Sequence, residues 1–495
     1  MSALELSDGA RFSECKDGTE LERNSQDARG IHESWSNARR DPFVLKFPPE
    51  IASYIFFLCL DKRSDEEVAI LPTPFHLGSV CHGWRLLARS TPELWSTLSF
   101  SIGKPTKPGG ISQLQAVTEW LRLSGALPLA INVIWNRNRF SPEFCDPVID
   151  IINQHSGRWC KLFFDQTEAF AHRFRGTSHP HNLRDLHFTA GLYDLPPTFE
   201  MISAPSPTRL TIFWFPILGL DIKWDNLTYL YVKVNTFDGC IEAIQNAPLL
   251  ETCSIILHRW GSWPPLPKTS IRHMNIRRLK LSNIPFELLC SVLDALELPS
   301  LQVYHHETRD HDIKNGMDNV LSLVTRSGND LKEIVLVMHN LHMEDLTKLS
   351  DAAPYLRGLN LSFGCTTDPP VIRDLFYNLS LSGPIGDLPT IFPRLRALAI
   401  SAWSITAWDY IPCVFSSPHR KLLRLEVARL EVIAIDNDIL RRILSLVDDG
   451  ANIHIYFGIS LMEYLPHARE NFGKQNHRSS VVKHALEGEM GASDT

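Results

Sequence analysis

A chain of 495 residues is long enough for two to four domains, and 44% apolar against 21% charged residues excludes a wholly disordered protein. The net charge of -7 argues against a general nucleic-acid or acidic-membrane role, because polyanion binders carry a basic surplus. The longest apolar runs, such as Tyr54–Leu60, fall well short of the roughly 20 residues needed to cross a bilayer. Glu5 and Asp8 stand where a secretory signal would carry Lys or Arg, so an intracellular location is expected, in cytoplasm, nucleus or both. Ten cysteines are scattered without a Cys-x-x-Cys pair, which reads as reduced core residues rather than a disulfide frame or zinc site.

Residues 1–41 are polar, mixed in charge and without a hydrophobic period, the pattern of a disordered tail. A helical module is expected over residues 42–102. Pro48 and Pro49 suit the first turn of a helix, where no amide donor is needed, and Ile51, Ile55 and Leu58 follow at helical spacing beside Tyr54 and Phe57. Thr73-Pro74 is a second start, with Thr as cap and Pro as first helical residue. From it Leu77, Val80, Cys81, Trp84, Leu87 and Ala88 form one apolar stripe over three turns. Thr91-Pro92 opens a third short helix leading to Leu94-Trp95. Three short helices bury little surface, so the module is expected to lay an apolar face on another protein or on the rest of its own chain.

Four segments of this module, taken in order, resemble the F-box pattern: Phe47-Pro48-Pro49-Glu50-Ile51, Ile55-Phe56, Val80-Cys81-His82-Gly83-Trp84-Arg85 and Pro92-Glu93-Leu94-Trp95. They are most similar to the F-box-like proteins abundant in fungi. Phe47 replaces the family's usual leucine, and the charged insert Asp61–Pro74 lengthens the gap between the first two helices. The resemblance implies a contact surface for a Skp-family adaptor made by Phe47, Pro48, Pro49, Ile51, Ile55, Phe56, Val80, Cys81 and Trp84. It also implies a place on a cullin scaffold as the non-catalytic, target-binding subunit of a ubiquitin ligase.

Gly103–Gly110, rich in Gly, Pro and Lys, reads as a short linker. Over residues 111–465 short strands alternate with amphipathic helices. The stretch Gln113–Leu123 followed by Leu127–Trp135 reads as a cap joining the module to the repeats. The strand signature is an apolar residue, two others, an apolar residue, one other, and an apolar residue. It occurs at Leu183/Leu186/Phe188, Leu227/Leu230/Val232, Ile276/Leu279/Leu281, Leu331/Ile334/Leu336, Leu356/Leu359/Leu361, Leu395/Leu398/Ile400 and Leu422/Leu425/Val427. Trp159/Leu162/Phe164 and Leu250/Cys253/Ile255 fit less well. Helix signals lie between them, as at Phe237–Gln245, Phe286–Leu296, Met317–Thr325, Met343–Ala352 and Ile439–Val447. Steps of about 23 to 30 residues match the leucine-rich-repeat range, and a unit of that size buries its apolar face only by stacking on its neighbours. The fold class expected is therefore α/β: a small three-helix F-box followed by an irregular leucine-rich-repeat solenoid, which resembles a degenerate horseshoe. Residues 466–495 read as a second disordered tail.

Because strand side chains alternate, the positions between the core residues face outward. These are Tyr229, Tyr231 and Lys233; Arg278 and Lys280; Glu333, Val335 and Val337; and Arg424 and Glu426. Tyr and Arg favour interface hot spots, which makes this face the expected target-binding surface. Val335 and Val337 would be exposed apolar residues unless a helix or loop covers them. Val80, Cys81 and Trp84 could serve either a partner or the module's own core. Two histidine groups, His172/His179/His181 and His305/His306/His311, read as polar loops rather than metal sites. No zinc-binding helix motif, P-loop, dinucleotide glycine pattern or nucleophile elbow occurs, so no cofactor is expected. The alternative to a ligase subunit is a leucine-rich-repeat interaction scaffold without ligase function.

Overall fold

Two prolines begin the first helix. In the structure, a computed structural model, Pro48 is extended (φ -51°, ψ 143°) and its carbonyl accepts from the Ala52 amide at 3.0 Å, opening α1 (Pro49–Cys59). The structure describes residues 46–60, 74–102, 113–135, 142–165, 170–180, 182–190, 198–237, 239–258, 270–307, 316–328, 330–338, 340–364, 366, 368–381, 391–431, 435–458 and 461–469. The tail 1–41, the linker Gly103–Gly110 and nearly all of the insert Asp61–Pro74 lie outside the described residues, as does the C-terminal tail after residue 469. Residues 464–469 are helical, so regular structure continues past the expected end at 465.

The chain divides into two compact units at Leu227/Thr228. The first opens with α1, α2 (Pro74–Val80), α3 (His82–Arg89) and a 3-10 turn over Pro92–Trp95. The expected single stripe over residues 77–88 is broken. Cys81 is extended (φ -155°, ψ 172°), and its Sγ accepts from the Trp84 amide at 3.4 Å, so it ends one helix and caps the next. An unbroken stripe of apolar spacing does not reveal a residue that caps from within the stripe.

β1 (Thr97–Ile102) then runs parallel to β2 (Leu129–Trp135), with α4 (Gln113–Leu123) between them in sequence. Trp95 fixes this junction. Its Nε1 donates to the Ala88 carbonyl at 2.7 Å, and its own carbonyl accepts from Trp120 Nε1 at 2.7 Å. The Phe75, Trp95 and Trp120 rings meet edge to face within 5.0–5.6 Å. The helical stretch and the first strands thus share one core. β3 (Trp159–Asp165), β4 (Asp185–Thr189) and β5 (Arg209–Phe213) extend the parallel sheet in chain order, with α5 (Pro142–Gln154) before β3.

The second unit repeats one arrangement. β6 (Tyr229–Val234), β7 (Thr252–Leu257), β9 (Arg278–Ser282), β11 (Val303–Glu307), β12 (Glu333–Val337), β13 (Gly358–Ser362), β14 (Ala397–Ser401), β15 (Arg424–Leu430) and β16 (Asn452–Phe457) lie side by side, all parallel. β17 (Met462–Glu463) closes the edge antiparallel to β16. β8 (Ile271–Arg272) and β10 (Leu296–Glu297) form a separate short pair. α6 (Cys240–Asn246) joins β6 to β7. From α7 (Phe286–Ala295) the helices α8 (Met317–Ser327), α9 (Met343–Ala352), α10 (Pro370–Ser380), α11 (Tyr410–Ser416) and α12 (Asn437–Asp448) each pack on the next.

Alternate strand residues point into the core. All three positions of six expected triples are buried, from Leu183/Leu186/Phe188 to Leu395/Leu398/Ile400, and so are those of Trp159/Leu162/Phe164 and Leu250/Cys253/Ile255. Truncating one of these leucines to Ala is expected to cost about 2–5 kcal/mol. The triple Leu422/Leu425/Val427 needs correction: Leu422 is 83% exposed and Leu423 is the buried residue. The turn before β15 closes one residue late, with the Leu423 amide on the Arg420 carbonyl, because the buried Arg420 guanidinium is tied to the Ile391 and Phe392 carbonyls.

Candidate functional site

Two surfaces carry the residues singled out in the sequence. The first lies on α1–α3. α1 buries Ala52 and Phe56 and half-buries Ile55, while Ile51, Tyr54 and Leu58 share another face of the same helix at steps of three and four. That face is open: Tyr54 is 60% and Leu58 61% exposed. Phe47, Pro48 and Pro49 at the start of the helix are exposed as well. Among the other expected contact residues, Val80 is 61% exposed, Cys81 is the half-buried cap, and Trp84 is half-buried against the Phe56 ring at 4.8 Å. Phe56 is therefore a core residue, with no side-chain surface to offer a partner. Leu86 is exposed on α3 and was not among the expected contacts.

Behind this face the module is tightly tied. Ser53 and Thr91 hydroxyls lie 2.8 Å apart, and Thr91 Oγ1 also donates to the Leu87 carbonyl at 2.8 Å. A firm inner side with an apolar outer side is the arrangement that presents a surface instead of collapsing on itself.

The second surface is the outward face of the sheet in the second unit. Tyr229, Tyr231 and Lys233 on β6, and Lys280 on β9, are half-buried, whereas Arg278 is exposed. Val335 and Val337 on β12 are half-buried, neither fully covered nor open, and Glu333 beside them is exposed. On β15 Arg424 Nη2 meets Glu426 Oε2 at 3.0 Å, so those two satisfy each other.

β11 was missed as a strand, because Tyr304 and His306 occupy core positions normally filled by aliphatic residues. Pro299, two residues before Leu301 as Pro248, Pro354 and Pro393 stand two residues before the first apolar position of other strands, marks its start in the sequence, but the apolar triple behind it is not recognisable. His305 and His306, expected in a polar loop, instead lie in β11 and point to opposite faces. His306 is fully buried with its Nδ1 3.1 Å from the Tyr304 hydroxyl, and burial draws its pKa down to about 4. His305 faces outward and reaches Glu307 Oε2 at 3.7 Å. The neighbouring His305 ring, then the Ser282 hydroxyl, and the charge of Lys280 hold the Glu307 carboxyl below the usual range. Burial, with the nearby Tyr229 and Glu307, raises the Tyr231 phenol.

His311 and His181 lie outside the described residues. His172 sits in the 3-10 turn Ala171–Arg173, and His179 Nδ1 bonds the Ser203 hydroxyl. Among the described residues no group of three His, Cys, Asp or Glu side chains is placed to hold a metal ion, and no helix is long and apolar enough to cross a membrane. Compared with known proteins, the chain matches no family model and no curated sequence.

Proposed function

We propose that this chain is a non-catalytic adaptor of the F-box type. Its N-terminal helices bind a Skp-family adaptor, which joins it to a cullin scaffold, and its strand–helix units form an irregular leucine-rich-repeat solenoid that binds a target for ubiquitination. Chemistry belongs to other subunits, and this chain supplies proximity and orientation. The observation that carries this reading is the open apolar face of α1, where Ile51, Tyr54 and Leu58 are exposed although Ala52 and Phe56 already anchor the helix. Each exposed large apolar side chain that a partner buries contributes about 1.5–3 kcal/mol.

Support for the solenoid comes from the chain-order parallel strands and the helices that pack one on the next. A unit built this way grows by stacking and leaves one broad sheet face for recognition.

Co-expression of the full chain with a Skp-family adaptor tests the reading. Ile51→Asp with Leu58→Asp changes two exposed positions, so the fold should persist while co-purification of the adaptor is lost. An adaptor complex that survives both substitutions, or no complex with the parent chain, overturns the ligase role and leaves a repeat-built interaction scaffold.

A further inference from the structure

Strands β6, β7 and β9 lie in register, with Tyr229 opposite Thr252 opposite Arg278, and Tyr231 opposite Ser254 opposite Lys280. Neighbouring strands are about 4.8 Å apart, so the tyrosine pair and the cation pair stand about 10 Å from each other across a floor of small hydroxyl side chains. Ser254 is only 6% exposed, and its Oγ has no hydrogen-bond partner. A buried hydroxyl without a partner opposes folding, and nothing in the chain's own described residues answers it.

Positive charge predominates on this patch, and the Glu307 carboxylate at its edge acts on both Lys280 and Tyr231. Arg278 and Lys280 form no salt bridge with a described residue, and no carboxylate stands among the outward residues of β6, β7 and β9. The negative charge nearest in register is Glu307 on β11, opposite Ser282; His305 Nε2 lies 3.7 Å from it, and the charge of Lys280 acts on it as well. A chain with a net charge of -7 thus keeps two cations of one strand outside salt-bridge distance of any carboxylate among the described residues.

Building on the reading of this chain as a target-binding adaptor, we propose that the trough between Tyr229/Tyr231 and Arg278/Lys280 binds an extended, unmodified acidic segment of the target, with carboxylates at alternate positions. Arg278 and Lys280 are two residues apart on one strand, which spaces them by about 7 Å. An extended peptide repeats its side chains on one side with the same spacing, so alternate carboxylates meet both cations while consecutive ones send every second charge away. The tyrosine hydroxyls flank the bound segment, and Ser254 Oγ lies at the floor between the tyrosines and the cations.

Fluorescence anisotropy of short labelled peptides with the full-length protein tests this. One peptide alternates Glu with Ser, a second has the same composition with Glu in adjacent pairs, and a third alternates phosphoserine with Ala. The alternating-Glu peptide should bind best, weaken with added salt, and lose about tenfold or more in affinity with Arg278→Glu plus Lys280→Glu. Arg278→Gln, at an exposed position, should give a smaller loss in the same direction with an unchanged melting temperature. Equal binding of the paired-Glu peptide, indifference to both variants, or binding of the phosphoserine peptide alone would each overturn the proposal. Adaptor co-purification with the same variants should be unchanged, so a failure here and a failure of the ligase reading remain distinguishable.

Discussion

On β3–β5, Asp185 stands between two cations, its carboxylate 3.0 Å from Lys161 and 3.8 Å from Arg209. One row away the Phe163 and His187 rings stack at 4.1 Å, and Phe213 lies 5.3 Å beyond. On β6–β9 the matching rows place Thr252 and Ser254 between tyrosines and cations, with no acid. The first face satisfies itself. The second keeps the Ser254 hydroxyl without a hydrogen-bond partner, and Arg278 and Lys280 without a salt bridge to a described residue. Since both faces come from the same strand register, the difference lies in side-chain choice alone, and side-chain choice at outward positions is free to serve recognition.

The largest effect expected from polar groups in the second unit comes from acid. His306 is buried with its Nε2 unpartnered, and its pKa lies near 4 against an ordinary 6.5. The folded state resists protonation, so stability is fully present above about pH 6.5 and falls as pH drops from there toward 4. The total loss is roughly 3 kcal/mol. Urea unfolding at pH 7.5 and pH 5 should show it, and His306→Leu should flatten the slope. A slope unchanged in the variant would remove His306 as its source.

A pair of buried serines gives the next two effects. In the first unit Ser156 Oγ accepts from the Thr177 and Ser178 amides and bonds within 3.1 Å of Ser178. Its neighbour Gly176 has φ +68°, and a Cβ there would sit 2.8 Å from Ser156 Cβ, so the loop is built around this hydroxyl. Ser156→Ala takes the acceptor from the Ser178 amide and leaves the Thr177 amide only the Asn153 carbonyl at 3.2 Å, and should cost about 1–3 kcal/mol. Ser254→Ala removes a hydroxyl with no partner and should leave stability equal or raise it by up to about 1 kcal/mol. Thermal melts of the two variants would contradict this contrast if Ser254→Ala were the more damaging.

Much of the repeating core was legible in sequence, because Leu-x-x-Leu-x-Leu spacing follows from strand alternation and tolerates little else. What escaped was set by local chemistry. Cys81 broke a stripe by capping, Leu423 replaced Leu422 because Arg420 holds the preceding turn, and β11 hid behind Tyr304 and His306. The candidate surfaces were only partly readable. Spacing placed Ile51, Ile55 and Phe56 on one helix, but could not say that Phe56 faces inward while Tyr54 and Leu58 face out. Outward residues such as Tyr231 and Lys280 followed directly from period two, whereas the unpartnered Ser254 hydroxyl between them needed coordinates.

The smallest expected change in stability is the sharpest test of the comparison. Asp185 is partly exposed and both its cations are mostly exposed, so Asp185→Ala should cost less than about 1 kcal/mol. Its consequence for binding is the informative part. The substitution removes the carboxylate that Lys161 and Arg209 share and makes this face of the first unit more positive. Those cations sit on different strands, β3 and β5, so they span the sheet instead of running along one strand. An extended peptide with alternate carboxylates matches Arg278 and Lys280 on β9, but not this pair. Asp185→Ala should therefore add no second site for the alternating-Glu peptide. If a second site of equal affinity appeared, unpaired charge alone would suffice, and the register of β6, β7 and β9 would carry no specificity.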